Sequence, residues 1–253
     1  MLESYVRKRL KERDILIMNH IVLGYPSFEE CFKIIEAMVK GGVDLMELQI
    51  PFSEPIADGP VILRANQKAL QKGVTVQACL DFAQEVANTF NIPFLIMSYY
   101  NILLKYGVKR FITDISKRNL QGTIVPDLPP EEGEEYLSAM QDQGLCPIFI
   151  FSPTTSDARM EYIVSLARGF VYCVARKGVT GADTDFSKEL TEYLARCRKA
   201  TSLPLALGFG VKGKPDIDFL RGKADIAVIG TQMIRLVESE GVGTVEDFIR
   251  DLR

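Results

Sequence analysis

Leu203-Pro204-Leu205-Ala206-Leu207-Gly208-Phe209-Gly210 is an apolar run that ends on a glycine turn, and Ile226-Ala227-Val228-Ile229-Gly230-Thr231 repeats the pattern. Both runs are strand-sized and apolar almost throughout, as a sheet covered on both faces requires. Working back from them, six further runs of the same kind occupy residues 16–23, 43–48, 94–98, 122–125, 147–151 and 170–174. The segments between them carry apolar residues at helical spacing, such as Cys31, Ile34, Ile35 and Met38, or Tyr136, Leu137 and Met140. Eight strands alternating with helices predict a closed parallel barrel, a (β/α)8 TIM barrel, rather than an open doubly wound sheet. The open sheet would place GxGxxG after an early strand, and the first turn reads Leu23-Gly24-Tyr25-Pro26-Ser27 instead. The amphipathic start, residues 1–13, adds an extra N-terminal helix.

A chain of 253 residues, 47% of them hydrophobic, can bury the core of one such barrel. No linker, low-complexity tract or charge block divides it, so residues 1–253 read as one domain. Lysine and arginine nearly balance aspartate and glutamate, for a formal net charge of -3, which argues against a nucleic-acid partner. The longest apolar stretches, residues 92–97 and 146–151, fall well short of the roughly 20 residues of a membrane-spanning helix. Because the N-terminus is amphipathic rather than a signal segment, the expectation is a soluble cytoplasmic protein with no membrane partner. Cys31, Cys79, Cys146, Cys173 and Cys197 are odd in number and widely spaced, which predicts reduced core thiols. None has metal-type spacing near His20, the only histidine, so no metal site is expected.

In a barrel the chemistry belongs to the loops that follow the strands. Glu47 ends the second run, on the side of Val43 and Leu45, which directs it into the barrel mouth. A carboxyl there is partly desolvated and suits a group that must both donate and accept a proton near neutrality. Asp58 follows eleven residues on, in a loop bracketed by Pro51, Pro55 and Pro60, as a candidate second carboxylate. Alone, an aspartate before glycine would be a turn residue. After the sixth run come Tyr172 and then Gly178-Val179-Thr180-Gly181, which predicts a lid with backbone donors for an anion. Gly208-Phe209-Gly210 and Gly230-Thr231 follow the seventh and eighth runs, where barrels most often hold a phosphate. His20, inside the first run, reads as an interior or pocket-lining histidine rather than a general base. Tyr99, Tyr100 and Asn101 follow the third run, where they either line the mouth or pack under a loop.

Taken in order, these motifs resemble the α subunit of tryptophan synthase along essentially the whole chain. The likeness rests on Glu47-Leu48-Gln49-Ile50-Pro51-Phe52-Ser53-Glu54-Pro55-Ile56-Ala57-Asp58-Gly59-Pro60, Ile124-Val125-Pro126-Asp127-Leu128-Pro129, Ser152-Pro153-Thr154-Thr155, Gly178-Val179-Thr180-Gly181 and Gly208-Phe209-Gly210. The resemblance implies retro-aldol cleavage of indole-3-glycerol phosphate to indole and glyceraldehyde 3-phosphate, with no metal or organic cofactor in this subunit. It implies a partner too, a pyridoxal phosphate-dependent β subunit in an α2β2 assembly. Glu47 then shuttles protons between indole C3 and the glycerol hydroxyl, and Asp58 accepts the indole N–H. Tyr172 lines the site, Phe209 forms its wall, and Gly181, Gly210, Gly230 and Thr231 fall on the phosphate-binding turns; Tyr99, after the third run, and Thr180, in the lid, are further candidate substrate-binding residues from their positions alone. The family usually carries glycine at Gln49, aspartate at Tyr25, an apolar group at His20, and serine at Ala175 and Thr231. Gln49 and Tyr25 motivate a second reading, a regulatory α-type subunit that activates a β partner. A third is a phosphate-binding barrel isomerase or synthase of neighbouring chemistry.

Overall fold

In the computed structural model of the chain, residues 2–175, 188–208 and 210–253 are described. Nine strands occur among them: β1 Leu16–Val22, β2 Leu45–Gln49, β3 Phe94–Met97, β4 Gly122–Ile124, β5 Cys146–Ile148, β6 Ile150–Phe151, β7 Val171–Val174, β8 Leu205–Gly208 and β9 Ile226–Ile229. They form one sheet in the order β5-β4-β3-β2-β1-β9-β8-β7-β6. Its neighbours are parallel throughout. The two ends of that order are consecutive pieces of one extended run, so the sheet curls back on itself as a barrel.

The single fifth strand expected at residues 147–151 is therefore two. Cys146, Pro147 and Ile148 pair with β4, whereas Ile150 and Phe151 pair with β7. Phe149 stands between, its carbonyl accepting from Tyr172 N at 2.9 Å. Pro147 contributes no N–H to a ladder, which weakens the run as a continuous strand. The extra N-terminal helix is present but shorter than expected, α1 being Leu2–Arg9 rather than reaching Arg13.

The other α-helices among the described residues are α2 Phe28–Gly41, α3 Pro60–Gln71, α4 Val76–Thr89, α5 Tyr100–Tyr106, α6 Val108–Lys117, α7 Glu134–Asp142, α8 Asp157–Leu166, α9 Lys188–Ala200, α10 Lys214–Leu220, α11 Thr231–Glu240 and α12 Val245–Asp251. Local chemistry sets several of their starts. Ser27, Thr75 and Ser156 each accept from a backbone N–H three residues on, at 3.2, 3.2 and 3.3 Å, and so cap α2, α4 and α8. Gly42, in the left-handed region at φ 101°, closes α2.

Alternation sorts the strand side chains into two layers. Ile17, Met46, Leu48, Ile96 and Leu207 point outward and pack against the helices in the larger core. Leu16, Met18, Leu45, Leu95, Met97, Ala206 and Val228 point inward and fill the barrel. Val43 joins the outer layer, not the inner side expected for it, because it precedes the strand and its pleat. Leu2 and Val6 of α1 enter the inner cluster and plug the end at which the strands begin. Burying the two side chains stabilises that plug by about 1.5–3 kcal/mol each.

The plug is pinned by Asp44, just before β2. Its Oδ1 accepts from Arg9 Nη2 at 2.9 Å and its Oδ2 from Ile17 N at 2.9 Å and Arg253 Nη2 at 2.8 Å. All five cysteines are free thiols, four of them buried and Cys146 partly so. Burial pushes the Cys31 thiol up to about 12, which keeps it unreactive. No helix among the described residues is long and apolar enough to cross a membrane.

Candidate active site

With one end plugged, the inward-facing positions near the other end surround a cavity. β1 contributes His20, β2 Glu47, β7 Tyr172 and Val174, and β9 Val228. The loops that follow β2, β8 and β9 add Asp58, Gly210, Gly230 and Thr231. Glu47 reaches it because Leu45 and Glu47 share the inner face of β2. Its side chain is 5% exposed, and its Oε2 is buried with no hydrogen-bond partner among the described residues. An unsatisfied carboxylate oxygen costs free energy, so its retention in a cavity points to chemistry rather than packing.

Asp58 is delivered by the loop between Ile50 and Gly59. Phe52 N donates to Asn66 Oδ1 at 2.9 Å, and Asp58 N donates to Pro55 O at 3.0 Å. The Phe52 ring stacks on Tyr99 with centroids 5.1 Å apart. Gln49 Nε2 donates to Asp58 Oδ2 at 2.6 Å, and the Tyr99 hydroxyl donates to the same oxygen at 3.2 Å. Burial raises the Asp58 pKa, opposed by the His20 charge and by the hydrogen bonds from Gln49 and Tyr99. Tyr99 is fully buried and stands behind the cavity as a buttress for Asp58 and for Ala57 N, rather than at the wall where a substrate-binding residue is expected.

Tyr172 enters the cavity from β7 only because β8 leaves it room. A Cβ on Gly208 would lie 2.2 Å from Tyr172 Cε1, so any other residue there would displace the ring. Burial first, and then the charges of Glu47 and Asp58, push the phenol well above its ordinary value. It stays a neutral O–H beside the carboxylates. Opposite them, Gly210 adopts φ 90°, a region that favours glycine, and Gly230 begins the turn into α11. Free backbone N–H groups at such a helix start favour an anion.

Glu47, Asp58, Tyr172, Gly210, Gly230 and Thr231 thus meet around one cavity, as expected from the sequence. Thr180, Gly181 and Phe209 lie outside the described residues. Two charged lining residues were not anticipated from the sequence. Arg235 lies four residues past Thr231, the spacing that returns a helix to the same face, and this was the available signal. Lys212, two residues past Gly210, also lines the cavity. His20, expected as an interior or pocket-lining histidine, lines the cavity and pairs in register with Glu47 across β1 and β2. Among the described residues, no three His, Cys, Asp or Glu side chains gather in a metal-holding arrangement.

Residues 6–250 match the family model described as tryptophan synthase alpha chain. The chain belongs to the tryptophan synthase alpha chain family. It is 61% identical over 252 residues to the tryptophan synthase alpha chain of Desulforapulum autotrophicum, with 100% of each chain covered. It is 58% identical over 253 residues to that of Syntrophotalea carbinolica, again covering 100% of both. Among solved structures, tryptophan synthase from Mycobacterium tuberculosis superposes with a TM-score of 0.92 at 29% identity, covering 99% of this chain and 96% of that one. The alpha subunit from Legionella pneumophila gives 0.90 at 29% identity, with 99% and 96% covered. The barrel architecture is thus that of the tryptophan synthase alpha chains.

Proposed function

We propose that this alpha chain cleaves indole-3-glycerol phosphate to indole and glyceraldehyde 3-phosphate, with Glu47 and Asp58 carrying the chemistry. One observation supports the residue assignment above all: the buried Glu47 and the half-buried Asp58 share a single cavity with the glycine turns that follow β8 and β9. In the reaction, Glu47 gives a proton to indole C3, and Asp58 accepts the ring N–H as positive charge develops there. The protonated ring draws electrons from the bond to the glycerol chain. Glu47 then takes the proton of the glycerol hydroxyl, the C–C bond breaks, and indole leaves with the aldehyde as co-product. Placed charges in a water-poor site stabilise the charge that develops along this path. Neutral Tyr172 supports the Glu47 side, while Gly210, Gly230 and Thr231, with Arg235 and Lys212 beside them, hold the phosphate. The whole chain works as one domain.

The test is indole release from indole-3-glycerol phosphate by Glu47→Gln and Asp58→Asn variants whose circular dichroism matches the parent. Both are expected to lose it. Near-normal turnover in either removes that residue from the mechanism.

A pyridoxal phosphate-dependent β subunit is the partner to which indole passes, in an α2β2 assembly in the cytoplasm. The loop of residues 51–60 is the docking element. It touches the site through Asp58 and carries Ile56, 71% exposed and so available to an apolar partner surface. An element that meets both substrate and neighbour can couple the two. Replacing Ile56 with Asp is expected to weaken association with the β chain in analytical ultracentrifugation while leaving indole release by the isolated chain intact; unchanged association would exclude the loop.

A further inference from the structure

His20 and Gln49 are polar side chains on the inner face of the barrel, where β1 and β2 otherwise present Leu16, Met18 and Leu45. In the parallel register His20 stands opposite Glu47, and Gln49 is the next inward position along β2. His20 Nδ1 lies 3.4 Å from Glu47 Oε1, with the two side chains only 6% and 5% exposed. That separation exceeds a normal hydrogen bond, as is common for catalytic contacts before substrate binds. Gln49 spends its amide nitrogen on Asp58 Oδ2, at 2.6 Å. His20 Nε2 and Gln49 Oε1 are left buried without a hydrogen-bond partner among the described residues, as is Glu47 Oε2. Glu47, His20, Gln49 and Asp58 therefore form a row of polar groups running from one reactive carboxylate to the other.

We propose that His20 is a positioning residue for the lyase reaction: as a cation it holds Oε1 of Glu47 through Nδ1–H, offsets the charge of the two carboxylates, and leaves Oε2 free to exchange protons with substrate. The inference rests on the reading of Glu47 as the proton shuttle. Two carboxylates in one cavity repel each other, and a cation set between them relieves that repulsion without filling the space beside Oε2. Once Glu47 has given its proton to C3, one net negative charge remains, the sign needed to stabilise positive charge on the indole ring. Burial by itself lowers the His20 pKa. The charge and hydrogen bonding of Glu47, the charge of Asp58 and contact with Gln49 outweigh it, and the net direction is upward. Among the described residues, the other titratable groups around the cavity are Tyr172, which stays neutral, and Lys212 and Arg235 at the phosphate side. Just past the end of β9, which pairs with the other side of β1, the neighbour is Gly230, whose added Cβ would meet His20 Cβ at 3.3 Å, so no charged group among the described residues faces His20 from there.

Because His20 is the only histidine of the chain, its ring gives an unambiguous NMR signal. The experiment records the His20 titration in the full-length protein and in Glu47→Gln, together with the pH profile of indole release by His20→Phe and His20→Gln. The inference expects His20 to titrate at lower pH in Glu47→Gln than in the parent. It also expects kcat to fall about tenfold or more in His20→Phe, with the acidic limb of its kcat/KM profile moved to higher pH, since Asp58, which must be ionised to accept the indole N–H, takes up a proton more readily once the His20 charge is gone. His20→Gln restores a donor but no charge, so the limb should stay displaced. Identical His20 titration in parent and Glu47→Gln overturns the inference, as does a parental pH profile in His20→Phe. If His20→Phe does not fold, the titration alone decides. Retention of indole release by Glu47→Gln would instead remove Glu47 from the mechanism, whatever His20 does.

Discussion

Asp44 and Glu47 are buried carboxylates three residues apart, and their surroundings are opposite. Asp44 has both oxygens engaged, by two arginines and a backbone N–H within 2.9 Å and by Arg13 Nη1 at 3.6 Å. Glu47 has one oxygen 3.4 Å from an imidazole and the other with no partner among the described residues. The first joins α1, β1 and the C-terminal Arg253 at the plugged end of the barrel. The second faces the cavity at the open end. A saturated buried carboxylate holds structure together, whereas an unsaturated one is available to a substrate, and each role is costly to remove in its own currency.

The sharpest way to break this contrast is to neutralise each carboxylate and measure both activity and stability. Glu47→Gln is expected to lower indole release by about 10²–10⁴-fold, the usual weight of a placed acid–base group, with its urea midpoint held or raised. A variant that loses stability instead would make Glu47 a structural residue. Asp44→Ala should do the reverse, costing roughly 3 kcal/mol in urea unfolding because three guanidinium groups lose a buried partner. Its kcat per folded molecule should match the parent, and a selective loss of kcat would dissolve the distinction.

Smaller effects sharpen the picture at the phosphate end. Arg235→Ala is expected to raise KM for indole-3-glycerol phosphate by about tenfold with kcat little changed, the pattern of lost ground-state and transition-state binding alike. A fall in kcat with KM constant would move Arg235 from binding into chemistry. The smallest effect concerns Asp58, whose pKa is raised first by burial. A carboxyl raised above its unfolded value contributes stability that is complete below the unfolded pKa and is lost as pH rises through the folded one. Ionised Asp58 therefore weakens the fold relative to a neutral isostere. The Tm of Asp58→Asn minus that of the parent should grow between about pH 4 and pH 7, and a constant or shrinking gap would mean that Gln49, Tyr99 and His20 fully compensate the burial.

Much of this arrangement was readable along the chain, and the misses have physical causes. The eight runs, the inward parity of Glu47 and the glycine turns after β8 and β9 are local patterns, set by the pleat and by backbone freedom. The break at Phe149 was not visible, because which neighbour a strand residue pairs with depends on closure of the whole sheet. For Tyr99, lining the mouth and packing under a loop were equally compatible with its place after a strand, and the aromatic stack with Phe52 puts it beneath the loop of residues 51–60. His20 read as an interior or pocket-lining histidine with no assigned partner, because nothing near it in sequence is charged; the carboxylate it meets is 27 residues away.

Composition and periodicity by themselves determined the class of fold, the extra N-terminal helix and the pool of polar groups able to do chemistry, because hydrophobic alternation and turn residues act over a few positions. Tertiary structure alone decided which of those groups are satisfied. Asp44 meets Arg253 and Glu47 meets His20 only through barrel closure and strand register, and hydrogen-bond saturation, which separates a structural carboxylate from a reactive one, is a property of neighbours in space.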